Sequence, residues 1–395
     1  MSQLKYWIWL SMKDRLRASL KSAAYRQFDT LEELYYADKR ELRQIDGIED
    51  RDIAELMNKD MDSVERVLEQ CERGGIQILT MQDAIYPLRL KNIPDPPLVL
   101  YYKGRMPAFD EEVAIAVIGT RTPTPYGLSV AETISYDIAR GGGYIVSGMA
   151  RGLDSQAAIG ALKAGKPTAA ILGGGVNVIY PPENERLYND IVAAGVVISE
   201  YVPGAEPMGR HFPERNRIIS GLSCGVLVVE AGEHSGTAIT AAHASEQGRD
   251  LFAIPGAINA PMSVGTNALI RDGFAKLTTC AADVLEEYAH SFASKIVSPS
   301  KRRAVSDEAE PETREIKPAT PVERKIDPRK LAELPENRQK ILALLNSGPM
   351  YLDDIVDGSG MDAATVLGEV TMLVLDGFLK ELAGKRYAPG EKLLV

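Results

Sequence analysis

Four short loops in this sequence combine glycine with hydroxyl or basic residues, a composition suited to binding phosphate. They contain Gly119, Thr120 and Arg121; Ser147 and Gly148; Gly173 and Gly174; and Ser235, Gly236 and Thr237. Backbone amides in such loops bind anions, and the dipole of a helix that starts there adds to the attraction. Each loop follows a short apolar run. We therefore predict one phosphate-binding site built from all four loops.

Basic residues are concentrated near these loops, although the 395-residue chain carries a formal net charge of −10. Residues 147–166 and 209–221 each have a net charge of +2, and the loop at Arg121 contains no acidic residue. The predicted phosphate ligands are Arg121, Lys163, Lys166, Arg210, Arg215 and Arg217. A local basic site in an acidic protein indicates a specific anionic ligand and excludes a general basic coat for nucleic acid.

Aromatic and amide side chains beside the basic cluster favour a nucleic-acid strand as the ligand. Phe212, or Arg210 beside it, offers a surface on which a base of any sequence can stack. Asn216 either orients a backbone oxygen or caps its helix. Tyr126 is predicted to be a core residue, with a base-stacking role as the alternative.

Four motifs typical of enzymes fail on a required residue or on their order along the chain. Residues 160–167 approach a Walker A loop, but Pro167 replaces the magnesium-binding hydroxyl and the segment leads from helix to strand. Residues 221–225 match GxSxG with the same reversed order. Residues 173–178 do not complete GxGxxG, and the four histidines lack the spacing of metal ligands. We therefore predict no catalytic residue, no metal site and no cofactor.

The elements that must position the loops are strands that alternate with helices. The apolar runs are residues 113–118, 144–146, 168–172, 196–198, 226–229 and 251–254. Short runs that are apolar throughout indicate a parallel sheet covered by helices on both faces. The predicted fold is a doubly wound, Rossmann-like α/β domain, and ligands of such sheets bind beyond the carboxyl ends of the strands.

Composition divides the chain into four predicted parts. Residues 1–72 form a small helical domain of the SAM or helix–hairpin–helix type, with helices at 30–37 and 51–58. Its segment 42–48 resembles a DNA-binding hairpin, but Glu49 replaces a glycine, so DNA contact and simple packing both remain open. The Rossmann-like domain spans 73–290, and 291–333 is a charged, proline-containing disordered linker. Residues 334–395 follow a winged-helix pattern, with helices at 337–345, 352–357 and 363–375 and a hairpin at 378–387.

Cysteine usage and hydropathy predict where the protein resides. The three cysteines are far apart and form no CxxC pair, which favours a reducing cytoplasm. Apolar runs are shorter than the roughly 18 residues of a membrane span, so we expect no membrane association.

Several longer segments resemble, in order, the signature segments of the DprA/Smf family. They are GTRTPTPYG at 119–127, SGMARGLD at 147–154, YPPEN at 180–184, FPERNRII at 212–219, SGT at 235–237 and IPG at 254–256. The resemblance implies a non-enzymatic, single-stranded-DNA-binding protein of natural transformation. It further implies protection of incoming strands, loading of RecA recombinase onto them, and a homodimer.

Two departures from the family pattern affect these expectations. Family members often have Ala-His where this chain has Ala157 and Ala158, so a histidine role there is absent. The third helix of the winged helix, 363–375, has no basic residue and contains Glu369. A helix that reads a major groove needs donors and cations. We therefore expect the winged helix to pack or to contact a protein.

The alternative from another class is a nucleoside-monophosphate phosphoribohydrolase, which also has a late glycine–threonine loop. Glycosidic cleavage needs a carboxylate near the reacting carbon. Those enzymes carry it as GTxxE, whereas this chain has Thr240 at that position. Glu230 is nearby, at the end of a strand. A pure protein adaptor is a third possibility, but it leaves the phosphate loops unexplained.

Overall fold

The computed structural model describes residues 3–233, 236–296, 334–345, 350–382, 386–390 and 392. The chain divides into two compact units, residues 1–304 and 305–395. Within the described residues, no helix is long and apolar enough to cross a membrane.

The first unit begins with six helices, two of which confirm the helices predicted at 30–37 and 51–58. They are α1 Leu4–Ser11, α2 Ala18–Gln27, α3 Leu31–Tyr36, α4 Lys39–Leu42, α5 Asp50–Met57 and α6 Met61–Gly74. Helix α1 is apolar and its Trp7 and Trp9 are buried. These helices share one hydrophobic core with the edge of the following sheet, through residues such as Leu100 and Tyr101.

A nine-stranded sheet forms the centre of the first unit. Its strands are β1 Gln77–Thr80, β2 Val99–Gly104, β3 Val113–Ile118, β4 Gly143–Ser147, β5 Thr168–Ile171, β6 Val196–Ser199, β7 Gly225–Val228, β8 Asp250–Ala253 and β9 Lys276–Leu277. Their order is β1-β2-β6-β5-β4-β3-β7-β8-β9. All pairs from β6 to β9 are parallel, and β1 and β2 add antiparallel strands at one edge. The six predicted strands are confirmed to within one residue at each end.

Helices cover both faces of this sheet. They are α7 Leu88–Lys91, α8 Pro125–Arg140, α9 Leu153–Lys163, α10 Glu185–Ala194, α11 His211–Gly221, α12 Thr237–Glu246, α13 Val264–Arg271 and α14 Ala281–Leu285. Short 3-10 turns occur at Phe109–Glu111, Pro182–Asn184, Pro261–Ser263 and Glu286–Tyr288. Every residue of β3 is buried; Ala114 and Ala116 face one hydrophobic core, while Ile115 and Val117 face the other. The predicted doubly wound fold is therefore confirmed.

The strand order reverses at β3, which fixes the place of a ligand crevice. The chain runs from β3 through β4 and β5 to β6 in one direction and from β7 through β8 to β9 in the other. In such sheets the crevice lies between the carboxyl ends of the two central strands. Here those strands are β3 and β7.

The start of the predicted linker packs against the first unit. Phe292 and Ile296 are partly buried against the hydrophobic core, and Lys295 Nζ lies 2.7 Å from Glu112 Oε1. The packed chain therefore continues to Ile296. The rest of the predicted linker, 297–333, lies outside the described residues.

The described residues of the second unit form three helices and a three-stranded sheet. Its elements are α15 Glu336–Leu344, β10 Met350–Tyr351, α16 Leu352–Ser359, α17 Ala363–Leu375, β11 Leu379–Leu382 and β12 Arg386–Pro389. The strand order is β10-β12-β11, and both pairs are antiparallel. The hairpin and all three helices match the sequence prediction. Strand β10 was not predicted, because two residues are too few for a recognisable alternation.

Candidate nucleic-acid interface

A cleft of about 710 Å³ lies at the carboxyl ends of β3 and β7, where the strand order reverses. Of the residues predicted from the sequence, it is lined by Gly119, Thr120, Arg121, Phe212, Arg215, Asn216, Gly236 and Thr237. Gly148, Gly173 and Gly174 line a smaller adjoining pocket that shares Arg121 and Phe212 with the cleft. The fold thus brings residues from all four predicted loops to one place, although Ser235 itself lies outside the described residues.

The loop after β3 is held by a buried carboxylate at the end of β7. Glu230 is 2% exposed, and its Oε2 accepts a hydrogen bond from Thr124 N at 3.0 Å. Its Oε1 accepts another from Thr124 Oγ1, and its backbone oxygen accepts one from Thr120 N at 2.9 Å. A Cβ at Gly127 would lie 2.1 Å from Glu230 Oε2, so this contact requires glycine. Glu230 therefore positions the loop that carries Arg121.

The loop after β4 adopts an uncommon backbone conformation. Met149 has a φ of 53°, a value that costs free energy for a residue other than glycine and is found at functional sites. Asn184 Nδ2 donates hydrogen bonds to Met149 O at 2.9 Å and to Ser155 Oγ at 2.8 Å. Asp154 Oδ2 accepts one from Gly148 N at 3.2 Å. Asn184 and Asp154 thus fix this loop, and neither was among the predicted site residues.

Arg215 is a buried positioning residue, which corrects its predicted role as a phosphate ligand. Its side chain is almost inaccessible, and Nη1 donates to Gly148 O at 2.9 Å and to Ile171 O. Burial lowers the pKa of Arg215 to about 10, because it disfavours the charged form, while the nearby Asp154 opposes this change. Arg215 therefore holds the loop after β4 next to the carboxyl end of β5.

Two aromatic rings lie in a row between two cations along the cleft and its adjoining pocket. The Arg121 guanidinium lies 5.0 Å from the centre of the Phe212 ring, which lies 5.5 Å from the Tyr180 ring. The Arg151 guanidinium lies 5.9 Å from the Tyr180 ring and pairs with Glu183. Arg121 and Tyr180 are exposed, and Phe212 is partly exposed. Aromatic rings next to an exposed cation are the combination of groups that can stack on bases and bind phosphate.

The start of α12 also lines the cleft. Gly236 occupies the N-cap position without a side-chain cap, and Thr237 is the first helical residue. Both line the cleft, so the positive end of this helix dipole faces it. Asn216 lies inside α11 and therefore does not cap a helix; its Oδ1 accepts a hydrogen bond from Arg215 Nε at 3.3 Å.

Several predicted ligands do not reach the cleft. Ser147 is buried, and its hydroxyl donates to Val117 O at 2.7 Å. Lys163 and Lys166 lie before β5, at the amino ends of the parallel strands and away from the cleft. Lys163 pairs with Glu132. Arg217 forms a two-bond pair with Glu200, at 2.8 and 2.7 Å.

The structure places Arg210 near the cleft, but it contradicts the prediction for Tyr126. Arg210 is exposed at the N-cap of α11, next to the cleft residue Gly209. Tyr126 is 50% exposed and its hydroxyl donates to Pro255 O at 3.1 Å, so the prediction of a core residue is wrong. The first turn of α8 faces solvent at this position.

The arrangement gives the hydrolase alternative no support. Thr240 is buried at the cleft, and Glu230 is engaged by Thr124. The cleft carboxylate Asp154 accepts the Gly148 amide. Among the described residues, no group of three or more His, Cys, Asp or Glu side chains could hold a metal ion.

Comparison with known proteins places the chain in a family. The family model described as DNA recombination-mediator protein A matches residues 77–289, and the model of the DprA winged helix domain matches residues 325–385. This chain belongs to the DNA recombination-mediator protein A (DprA/Smf) family. The match confirms the resemblance predicted from the signature segments and the winged helix. The description is that of a recombination mediator and indicates no catalytic activity.

Relatives match over different lengths of the chain. Protein Smf of Synechocystis is 32% identical over 403 residues and covers 98% of each chain. DNA processing protein DprA of Bacillus subtilis is 42% identical over 222 residues, which are 56% of this chain and 74% of that protein. The X-ray structure of DprA from Streptococcus pneumoniae has a TM-score of 0.63 and 34% identity, covering 72% of this chain and 97% of that chain.

Proposed function

We propose that this chain binds single-stranded DNA in the cleft at the ends of β3 and β7, protects incoming strands and promotes RecA loading in natural transformation. The observation that carries the proposal is the row formed by Arg121, Phe212, Tyr180 and Arg151 beside the start of α12. Stacking surfaces next to anion-binding groups are the combination by which proteins bind single strands without reading their sequence.

The proposed contacts divide between backbone and bases of the strand. Arg121 and the first amides of α12 bind phosphates, because both present positive charge to the cleft. The ring of Phe212, with Tyr180 behind it, accepts a base. A duplex keeps its base faces stacked inside the helix, so these rings favour a single strand.

Arg121→Ala should weaken binding of a single-stranded oligonucleotide about fivefold to tenfold, whatever its sequence. The loss of one phosphate contact should also reduce the slope of log K against log salt by about 0.7. Fluorescence anisotropy at several salt concentrations measures both. Lys166→Ala, which removes an exposed charge at the opposite edge of the sheet, is the matched control and should change neither. Unchanged affinity and slope in folded Arg121→Ala would remove Arg121 from the interface.

The role in RecA loading rests on the family. Its description as a DNA recombination-mediator protein supports a partner among recombinases. We expect the protein to speed RecA filament formation on single strands, and Arg121→Ala to reduce this effect in proportion to its loss of DNA binding.

Three free cysteines support a reducing, cytoplasmic location for this activity. We propose the domain boundaries 1–72, 73–290, 291–333 and 334–395, with residues 291–296 of the linker packed on the first unit.

A homodimer is supported by exposed apolar side chains around the edge strand β9. Phe274 and Leu277 are 65% and 48% exposed. A short edge strand bordered by large apolar side chains is a typical interaction site. Leu277→Arg should therefore convert a dimer into a monomer in sedimentation equilibrium, while Leu88→Arg, at a 61% exposed position on α7, should not. A wild-type protein that is monomeric at all concentrations would contradict the proposal.

A further inference from the structure

The outward side of α17 in the winged-helix unit is apolar and uncharged. It carries Ala364, Leu367, Gly368, Thr371 and Met372, at the three- and four-residue spacing of one helix face. Leu367 is 51% exposed and Met372 is 45% exposed. A Cβ at Gly368 would meet no atom within 4 Å, so the space beside it is open. We call these five residues the outer face of α17.

This face is not needed to fold the unit. The opposite side of α17 supplies Val366, Val370 and Leu373, which are buried together with Ile341 and Ile355. The exposed Leu367 and Met372 lie outside that set of buried residues. Contiguous apolar surface that does not contribute to a core marks an interaction site.

The chemistry of the outer face does not suit DNA. In a winged helix this helix reads base edges, which requires hydrogen-bonding groups and cations. Thr371 offers the one hydroxyl of the outer face, and its Oγ1 donates to Leu367 O at 2.7 Å. Glu369 is engaged by Arg338 Nε at 2.7 Å. Nothing on the outer face can therefore specify a base.

The charge around the outer face is predominantly acidic, although Arg338 pairs with Glu369 and Asp376. Residues 350–378 contain six acidic side chains and no Lys or Arg. Asp354 and Asp357 on α16 are exposed, and Asp362 stands at the N-cap of α17. This potential repels a phosphate backbone, and it also repels a second copy of the same face.

We propose that the outer face of α17 binds a protein partner through an apolar helix flanked by Lys and Arg residues. Leu367 and Met372 act as anchors, and the small Ala364 and Gly368 between them allow a helix to approach closely. Methionine adapts its shape to different apolar partners. The acidic surroundings attract the basic flanks and set the orientation of the partner. This interaction is independent of the single-strand cleft.

The test uses the full-length protein and defined probes. One probe is a designed helical peptide with leucines along one face and lysines beside them, and its twin carries glutamates in place of the lysines. We expect the leucine–lysine peptide to bind and the glutamate twin not to bind. Leu367→Ala combined with Met372→Ala should weaken the peptide at least tenfold. Alanine favours helix and leaves the charge unchanged, so α17 should fold normally.

Three results would overturn the proposal. The first is equal affinity of the leucine–lysine peptide for the double variant and for the wild type, which would show that the peptide binds through charge alone. A DNA duplex could bind with an affinity that depends on Leu367, or the protein could self-associate through this face and lose that association in Leu367→Ala. Leu88→Ala, which removes an exposed leucine in the other unit, is the control and should leave peptide binding unchanged.

Discussion

Replacing Arg215 by methionine should destabilise the first unit by about 3 kcal/mol, because the change removes one partner of a buried charged network. The carbonyls of Gly148 and Ile171 would lose their donor, and the buried Asp154 would lose a nearby positive charge. In a unit of this size the melting temperature should fall by roughly 5 °C. Calorimetry measures the shift.

The matched control is Arg210→Met, the same change at an exposed position. It should leave the melting temperature nearly unchanged, since surface substitutions away from special contacts have small effects. A folded Arg215→Met protein with the same melting temperature as the wild type would show that Arg215 does not hold the loop after β4 to the end of β5. The outcome therefore separates a positioning role from the phosphate contact predicted by the sequence.

The destabilisation should also depend on pH in a defined direction. Burial raises the pKa of Asp154, and Arg215 opposes that rise. Without Arg215 the folded state binds a proton at Asp154 more readily than the unfolded state does, so lowering the pH stabilises the variant. The gap in melting temperature between wild type and Arg215→Met should therefore narrow as the pH is lowered toward the raised pKa of Asp154. Adding Asp154→Asn should remove this narrowing.

Phe212→Ala should weaken single-strand binding by about 2 kcal/mol, or roughly thirtyfold, the value expected for one stacked base. The ring lies between Arg121 and Tyr180, so its loss also ends both contacts. Phe212→Trp should keep or increase the affinity. Equilibrium binding of one labelled oligonucleotide compares the three proteins.

An abasic oligonucleotide provides the internal control for stacking. It keeps the phosphates and lacks the ring faces, so wild type and Phe212→Ala should bind it with equal, weakened affinity. If the wild-type protein bound abasic and normal strands equally, Phe212 would not be a stacking residue.

The sequence predicted the sheet well because its strands are buried on both faces. All six residues of β3 are apolar and buried, a pattern that surface elements do not show. The glycine loops were predicted to converge because parallel strands end at the same edge, and they do converge. Strand β9 has two exposed residues and gave no signal.

The errors at the site arise from side-chain direction and pairing, which depend on tertiary contacts. Arg215 and Arg217 are two residues apart on α11, yet one lies beneath the cleft and the other pairs with Glu200. Lys163 is far from the loop at Gly148 because the 11-residue helix α9 returns the chain from the carboxyl ends to the amino ends of the parallel strands. Tyr180 follows β5 in an irregular loop, where no periodicity marks a site residue.

The most direct test of the proposed function compares three ligands at two salt concentrations. An oligonucleotide of about 20 nucleotides, the same sequence as a blunt duplex, and a mononucleotide are titrated at about 50 and 200 mM salt. We predict that the single strand binds more tightly than the duplex and much more tightly than the mononucleotide, and that its affinity falls as salt rises. Equal or tighter binding of the blunt duplex would contradict a cleft that takes up unpaired bases.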